Sequence, residues 1–373
     1  MIALFVALAF LAPATFACLF YVVLTYLGRR RAIAIPLIPQ TAFVVLIPAH
    51  NEALSITETL RSVLDADYPA ALRRIVVVAD NCTDCTADVV REHGAEVLER
   101  FDRNLRGKGY ALAYGFDCVL PSRPDAVVVL DADCEVFPDL FRIFDAHLRN
   151  GSPVVQAAVV TRNPGPDSAG FASAIGSIMD NEIAAGKDAI GLRPPLRGTG
   201  MGFARSILER FPWNAFGLTE DAEYDHRLAR AGVKIRFLAS AIVHSEAPVR
   251  TVDLFQQRRR WRASLFVGSG ILTRWIESKP LVLAQWMLTS LVVIATVLCQ
   301  LVPDWFILWA GAIGLFTFGM YLRAGLKVGL PPKAGRMILA LPWVVVRLLF
   351  VTLGGFTKSS TIWHRTRRSA EVV

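Results

Sequence analysis

The chain has 373 residues, of which 54% are hydrophobic and 19% are charged, and its formal net charge is +8. This length accommodates one sizeable domain and additional segments. Positive charge clusters beside apolar segments at the two ends, so an anionic lipid surface explains it better than nucleic acid does. The six cysteines are scattered, and no second CxxC accompanies Cys82 and Cys85, which argues against a zinc or redox protein.

An uncharged, apolar stretch occupies residues 2–27. About 20 such residues span a bilayer. A signal peptide is the alternative, but no Lys or Arg precedes the run and it is long for a signal sequence. We therefore predict an uncleaved transmembrane helix over residues 1–28. The basic run at residues 29–31 then places the following domain, residues 29–248, in the cytoplasm.

Two more apolar stretches follow near the C-terminus, at residues 281–302 and 305–322. Only two residues join them, which predicts a transmembrane hairpin within residues 279–324. The whole pattern indicates a multi-pass protein of the inner (cytoplasmic) membrane.

Residues 337–356 are also long enough to span, but Pro342 and Arg347 lie near the middle of this segment. An Arg at the centre of a bilayer is costly, and both flanks are basic. We predict an interfacial or re-entrant helix with a basic cytoplasmic tail over residues 325–373, and a fourth span is the alternative.

Short continuous apolar runs in the central domain are typical of strands that are buried on both faces of a parallel sheet. They lie at residues 43–47, 75–79, 127–130 and 154–158. Helical patterns alternate with them at residues 52–64, 85–93 and 108–119. This alternation predicts an α/β fold with a mostly parallel, doubly wound sheet. The alternation of strands and helices becomes less regular after about residue 150, and we expect this part of the domain to bind the acceptor substrate of a transfer reaction.

Polar turns follow the first two predicted strands, at the sheet edge where open α/β folds bind ligands. Asp80 and Asn81 end the second strand, and Asp80 could accept a hydrogen bond from a base or a ribose hydroxyl. A plain helix N-terminus capped by Asn51 is the alternative for the first turn. The residues of that turn with which we expect a nucleoside to bond are Pro48, Ala49, Asn51 and Glu52.

Asp131, Ala132 and Asp133 follow the third strand directly. Residues two apart in an extended segment point the same way, so both carboxylates could face one Mg²⁺ or Mn²⁺. Such a cation would bind the phosphates of a donor and neutralise a leaving diphosphate. Lys108 begins a helix after a glycine-flanked basic turn and could reach the same diphosphate, unless the turn is only a solvated loop.

Thr219, Glu220 and Asp221 open a predicted helix that runs to residue 231. A positioned carboxylate can take the proton of a sugar hydroxyl, and Asp221 is our candidate for this base. The alternative is that Thr219 caps the helix while both acids complement its dipole. The dipole would also hold the pKa of Asp221 low.

A predicted interface helix, within residues 249–278, places Gln257, Arg260 and Trp261 on one side. Arg binds phosphate oxygens with a planar fork, and Trp offers a flat platform for a sugar ring. An interfacial basic helix with a Trp anchor is the alternative.

Together these residues resemble the family 2 glycosyltransferases, in particular the membrane-integrated branch with cellulose, chitin and hyaluronan synthases and bacterial exopolysaccharide enzymes. The resemblance runs from about residue 42 to residue 261. It implies a GT-A fold with N-terminal and C-terminal transmembrane and interfacial helices, and inversion of the anomeric centre by direct displacement.

The resemblance also implies a role for each motif. Asp80 resembles the nucleoside-binding aspartate, and Asp131 and Asp133 resemble the DxD pair, with Asp133 the stronger candidate for a direct metal ligand. Asp221 resembles the base of the TED motif. Gln257, Arg260 and Trp261 resemble the QxxRW motif, which contacts donor diphosphate and acceptor. The loop expected to support the acceptor, beside Glu220, consists of Gly198, Thr199, Gly200 and Met201, and a tail element at residues 363–368 would cover the donor site.

The leading hypothesis is therefore metal-dependent transfer of a hexose or N-acetylhexosamine from a UDP-sugar to a growing glycan. A second hypothesis is a single transfer to a membrane lipid, such as a ceramide, a diacylglycerol or a polyprenyl carrier. A third is a transporter or scaffold with an inert sugar-binding domain, against which the complete acidic set argues. The chain carries fewer spans than the long polymerising synthases, which leaves room for partner subunits in export.

Overall fold

The computed structural model describes residues 2–28, 38–162, 168–246, 289, 292–329, 335–336 and 343. Within them, one sheet forms the centre of the protein. Its strands, numbered in chain order, are β1 (Phe43–Ala49), β2 (Arg73–Asp80), β3 (Glu96–Arg100), β4 (Ala126–Val129), β5 (Cys134–Val136), β6 (Val154–Thr161), β7 (Met201–Ala204) and β8 (Ile235–Ser245).

Helices cover both faces of this sheet and extend beyond it. In chain order the α-helices of the described residues are α1 (Ile2–Leu27), α2 (Ile56–Leu64), α3 (Thr86–Glu92), α4 (Lys108–Val119), α5 (Leu140–Arg149), α6 (Ser168–Ala189), α7 (Arg205–Arg210), α8 (Glu220–Arg230) and α9 (Asp304–Val328). Residues 292–298 are also helical.

The strand order is β3-β2-β1-β4-β7-β6-β8-β5. The half from β3 to β4 is entirely parallel. β7 enters antiparallel between β4 and β6, and β5 closes the far edge antiparallel to β8. The carboxyl ends of β1, β2 and β4 therefore lie side by side, which sets the place for a ligand site.

Two hydrophobic cores lie on opposite faces of the sheet, as the alternation of side chains along a strand requires. In β1, Phe43, Val45 and Ile47 pack on one face with α2, α3 and α5. Val44 and Leu46 pack on the other face with α4, α7 and α8. All seven residues of β1 are buried, which explains why its sequence is continuously apolar.

α1 and α9 are each long and apolar enough to cross a membrane. They pack on each other through Ala7, Leu11 and Phe306. α6 of the central domain packs against α9 through Phe171 and Ile175, which contact Ala324. α6 thus lies between the sheet and the two apolar helices.

The predicted α/β fold and its four apolar strands are confirmed. The helix predicted from residue 52 begins instead at Ile56, because residues 50–55 form a turn. β3, β5, β7, β8, α5, α6 and α7 were not predicted from the sequence. Of the predicted hairpin, the described part contains residues 292–298 and α9, which is longer than the predicted segment and includes Arg323 and Lys327.

Candidate functional site

Two polar turns cross-brace the ends of β1 and β2. Asn51 and Asn81 both adopt left-handed backbone conformations, with φ of 55° and 52°. The side-chain oxygen of Asn51 accepts a hydrogen bond from the Thr83 amide at 2.7 Å, and that of Asn81 accepts one from the Asp102 amide at 2.9 Å. Asn51 therefore ties two loops together rather than capping α2, which corrects one reading of the sequence.

Asp80 lies at the bottom of this pair of turns and is 5% exposed. Its Oδ1 accepts hydrogen bonds from Arg100 Nη1 at 2.6 Å and from Asn81 Nδ2 at 3.0 Å. Arg100 also lies over the ring of Tyr110. The sequence analysis missed Arg100, although a basic residue that ends a short strand beside an acid could have indicated it.

The acidic triplet forms a turn between β4 and β5 and is not extended as predicted. The turn nevertheless brings ligand atoms of Asp131, Asp133 and Cys134 within 4.8 Å of one another. Burial raises the pKa of the Cys134 thiol well above its ordinary value, and its sulfur lies 3.3 Å from Thr199 Oγ1. The protonated thiol is a poor ligand, so the two carboxylates are the part of this cluster that fits a hard cation such as Mg²⁺ or Mn²⁺.

Lys108 lies among the carboxylates of Asp131, Glu220 and Asp221, which we call the acid ring. The sequence did not reveal this cluster. Its Nζ is 2.5 Å from Asp131 Oδ1 and 3.5 Å from Glu220 Oε1, and it donates a hydrogen bond to the Gly198 carbonyl at 2.7 Å. Burial alone would lower the pKa of Lys108, but Asp131 and Glu220 outweigh burial and raise it. The ammonium therefore stays charged and draws the metal-ligand candidate toward the TED acids.

Asp221 lies at the start of α8 and is partly buried. Burial and the neighbouring Glu220 carboxylate raise the pKa of Asp221 from 3.8 to about 7, although Lys108 acts in the opposite direction. The expectation that the helix dipole keeps this pKa low was wrong, because burial and a like charge prevail. Thr219 precedes the helix without a side-chain capping bond. A carboxyl group with a pKa near 7 suits proton transfer at neutral pH.

The loop of residues 197–200 lies close to Lys108, Asp131 and Asp221. A Cβ atom added to Gly198, whose φ is +77°, would lie 3.2 Å from Lys108 Nζ and 3.4 Å from Asp221 Oδ2. The Thr199 hydroxyl accepts a hydrogen bond from the Asp131 amide at 3.1 Å. The structure therefore brings the predicted acceptor loop, the DxD pair and the predicted base together.

Gln156 holds this loop from below and was missed by the sequence analysis. It is fully buried in β6, where its Oε1 accepts from the Arg197 amide at 3.0 Å and its Nε2 donates to the Thr199 carbonyl at 2.9 Å. A lone amide inside the apolar run of β6 was the available indication, because a buried polar side chain needs partners.

Arg162 supports the other side of the acidic turn. Its guanidinium bonds to three carboxylates, from Glu58 at 2.6 Å, Glu135 at 3.2 Å and Glu246 at 2.8 Å. Arg162 and Asp133 line a small cavity of about 50 Å³. The network fixes α2, β5 and the end of β8 around Asp133, and no local sequence pattern predicted it.

Among the remaining predicted residues, Pro48 and Ala49 end β1 and Glu52 is buried in the following turn, where its amide donates to Thr86 Oγ1 at 2.9 Å. Ala132 is buried within the acidic turn. Gln257, Arg260, Trp261 and the tail element at residues 363–368 lie outside the described residues, so their roles stay predictions.

The fold is similar to that of a solved mannosyltransferase from Pyrobaculum calidifontis, described in complex with GDP-Man and Mn²⁺. That match has a TM-score of 0.59 and 18% sequence identity, and it covers 93% of this chain and 97% of the other. The predicted GT-A type of fold is confirmed.

Two bacterial proteins are similar in sequence. A probable glycosyltransferase of Bacillus subtilis, YdaM, is 29% identical over 248 residues, which are 63% of this chain and 58% of the relative. A poly-β-1,6-N-acetyl-D-glucosamine synthase of Staphylococcus epidermidis is 27% identical over 259 residues, which are 65% of this chain and 59% of the relative. The chain thus matches under two thirds of the length of either relative. Residues 39–264 match the family model described as glycosyltransferase like family 2, and the chain belongs to that family.

Proposed function

We propose that this chain is an inverting, metal-dependent glycosyltransferase that moves a sugar from a UDP-sugar to a growing glycan at the cytoplasmic face of the inner membrane. The observation that carries the proposal is the meeting of Asp131, Glu220 and Asp221 around Lys108 at the carboxyl edge of the sheet. A base, a candidate metal ligand and a cation suited to phosphate lie in one place.

Asp221 is the group that would remove the acceptor proton. In its ionised form it accepts the hydroxyl proton while the hydroxyl oxygen attacks the anomeric carbon, and the bond from that carbon to the UDP oxygen breaks. Attack from the face opposite to UDP inverts the anomeric centre. Because the pKa of Asp221 is about 7, a substantial fraction of this carboxyl group is ionised at neutral pH.

The donor would lie along the edge from β2 to the acidic turn. Asp80, held by Arg100, faces the nucleoside side, and Asp131 and Asp133 would hold the cation. When bound, that cation supplies Lewis-acid stabilisation to the diphosphate. Lys108 could exchange part of its contact with Asp131 for a phosphate oxygen, and Gln257 and Arg260 would contact the same diphosphate.

The acceptor would approach from the loop of residues 197–200, with Trp261 as a platform. A growing glycan is favoured because one similar protein is a poly-β-1,6-N-acetyl-D-glucosamine synthase. The second candidate is a single transfer to a membrane lipid, which the packing of α1 and α9 against α6 favours by bringing apolar helices beside the catalytic domain. We also propose a multi-pass arrangement, with partner subunits in export.

The test is a transfer assay with the full chain in detergent. UDP-sugars, with GDP-mannose as a comparison donor, are supplied with Mg²⁺ or Mn²⁺, and we expect release of UDP with incorporation of the sugar. Asp221→Asn should retain UDP binding and lose transfer. Sizing the product separates a polymer from a single glycolipid. Absence of donor turnover with every acceptor and cation would refute the proposal.

A further inference from the structure

Glu182 joins the catalytic domain to both apolar helices. It lies on α6, and its side chain is 14% exposed. Its carboxylate accepts hydrogen bonds from the Tyr21 hydroxyl of α1 at 2.5 Å and from Lys327 Nζ of α9 at 2.7 Å, and Arg323 of α9 donates a third. One carboxylate therefore bonds to two helices that are far apart in sequence.

The helices touch closely at this point. A Cβ atom added to Gly186 would lie 2.3 Å from the Leu24 carbonyl oxygen, so α6 reaches α1 only because residue 186 has no side chain. A displacement of α1 would thus be transmitted directly to the backbone of α6.

Asn181, the neighbour of Glu182, faces the sheet. Consecutive helical residues point about 100° apart, so the two side chains serve different partners. Asn181 Nδ2 donates to the Val159 carbonyl at 2.9 Å, and its Oδ1 accepts from Arg197 Nη1 at 2.8 Å. Arg197 begins the loop that supports the acid ring.

The connection continues from Arg197 into the site. The next residue, Gly198, accepts the hydrogen bond of Lys108, and Thr199 accepts that of the Asp131 amide. An uninterrupted series of contacts thus runs from α1 and α9 through Glu182, α6 and Asn181 to the loop beside Asp221.

We infer that Glu182 is a positioning residue that couples the placement of α1 and α9 to the geometry of the 197–200 loop, and hence to the acceptor side of the reaction. The inference rests on the proposed function for its consequence in transfer, but not for the coupling itself. Loosening the cluster should misplace the loop while the nucleoside side, at the ends of β1 and β2, stays intact.

The coupling is measured by hydrogen–deuterium exchange on the full chain in lipid nanodiscs. Glu182→Gln and Asn181→Ala should each speed exchange of residues 195–202 by roughly tenfold, while β1 keeps wild-type protection. The matched variant is Ser177→Ala, on the same helix, whose hydroxyl donates a hydrogen bond to the Ala174 carbonyl within α6. It should leave the loop within about twofold of the wild type.

Activity provides the second readout. Glu182→Gln should lower kcat for transfer by roughly tenfold, because small misplacements of a reacting group are costly, with unchanged UDP binding. The double variant with Asn181→Ala should be no slower than the slower single variant, since both act through one series of contacts. Effects that multiply, or a loop whose exchange is unchanged in Glu182→Gln, would overturn the inference.

Lys327→Gln provides a milder perturbation if Glu182→Gln fails to fold, because Lys327 is half exposed. It should shift loop exchange in the same direction by a smaller factor, and no shift would count against the coupling. If the wild type transfers no sugar, the proposed function fails, while the exchange data still decide the coupling.

Discussion

Replacement of Asp221 by Asn should stabilise the fold while it abolishes transfer. The folded state raises the pKa of this carboxyl group from 3.8 to about 7, so ionisation at pH 8 costs folding free energy. At about 1.4 kcal/mol per pKa unit the full shift corresponds to about 4 kcal/mol. Solvent at the partly exposed carboxylate screens this destabilisation, so we expect Asp221→Asn to raise the free energy of unfolding by about 1–2 kcal/mol at pH 8.

The sign of the pH dependence follows from proton linkage. Between pH 4 and 7 the folded state holds a proton on Asp221 that the unfolded state has lost, so the stability of the wild type falls as the pH rises. Asn has no such titration. The advantage of Asp221→Asn should therefore be smallest near pH 4, grow up to about pH 7 and stay constant above it.

The assay is thermal unfolding in detergent at a fixed scan rate, without donor or divalent cation. At pH 8 the variant should melt roughly 1–3 °C above the wild type. Asp84→Asn is the opposite control. Burial acts to raise the pKa of Asp84, but bonds from Thr86 outweigh it and lower the pKa, so this variant should lose stability at pH 8. A lower melting point for Asp221→Asn, or a difference independent of pH, would refute the reasoning.

Three further substitutions test the candidate site. Lys108→Met removes the ammonium that lowers the pKa of Asp221. The acid limb of the kcat/KM–pH profile should therefore move to higher pH by about one unit. An unmoved limb would contradict the assignment of Asp221 as the base. Asp133→Asn should weaken Mn²⁺ binding by roughly tenfold, measured from the electron paramagnetic resonance signal of free Mn²⁺. Wild-type affinity in this variant would exclude Asp133 as a ligand of the cation. Gly198→Ala, at φ +77°, should cost about 1 kcal/mol in denaturant unfolding and reduce transfer with Mn²⁺ binding retained; wild-type turnover would mean that the loop tolerates displacement.

The sequence predicted those elements whose burial leaves a continuous pattern. β1 and β4 are buried and apolar throughout, and β2 and β6 contain buried apolar runs at residues 75–79 and 154–158, which only Gln156 interrupts. Three of the five residues of β3 are charged, and β7 is short and contains a glycine. Such strands depend on pairing with distant neighbours, which a local pattern does not reveal.

The candidate site divides in the same way. Asp131, Asp133 and Asp221 could be predicted because strand ends and motif spacing mark them. The contact of Lys108 with Gly198, ninety positions away in the chain, depends on the tertiary fold. The raised pKa of Asp221 depends on burial and on Glu220, whereas the sequence shows only the helix start.

The strand order also has a consequence for synthesis. β7 lies between β4 and β6, and β5 pairs only with β8 in the sheet. The sheet edge that carries the acids is therefore completed only after residue 245 has been synthesised. Pairings of such long sequence separation form slowly and leave strand edges open in the meantime. α1 is synthesised before all of these strands, and Arg323 and Lys327 follow β8. The catalytic edge is thus the late-assembled part of this protein, and its nascent chain is most prone to aggregation between the emergence of β5 and that of β8.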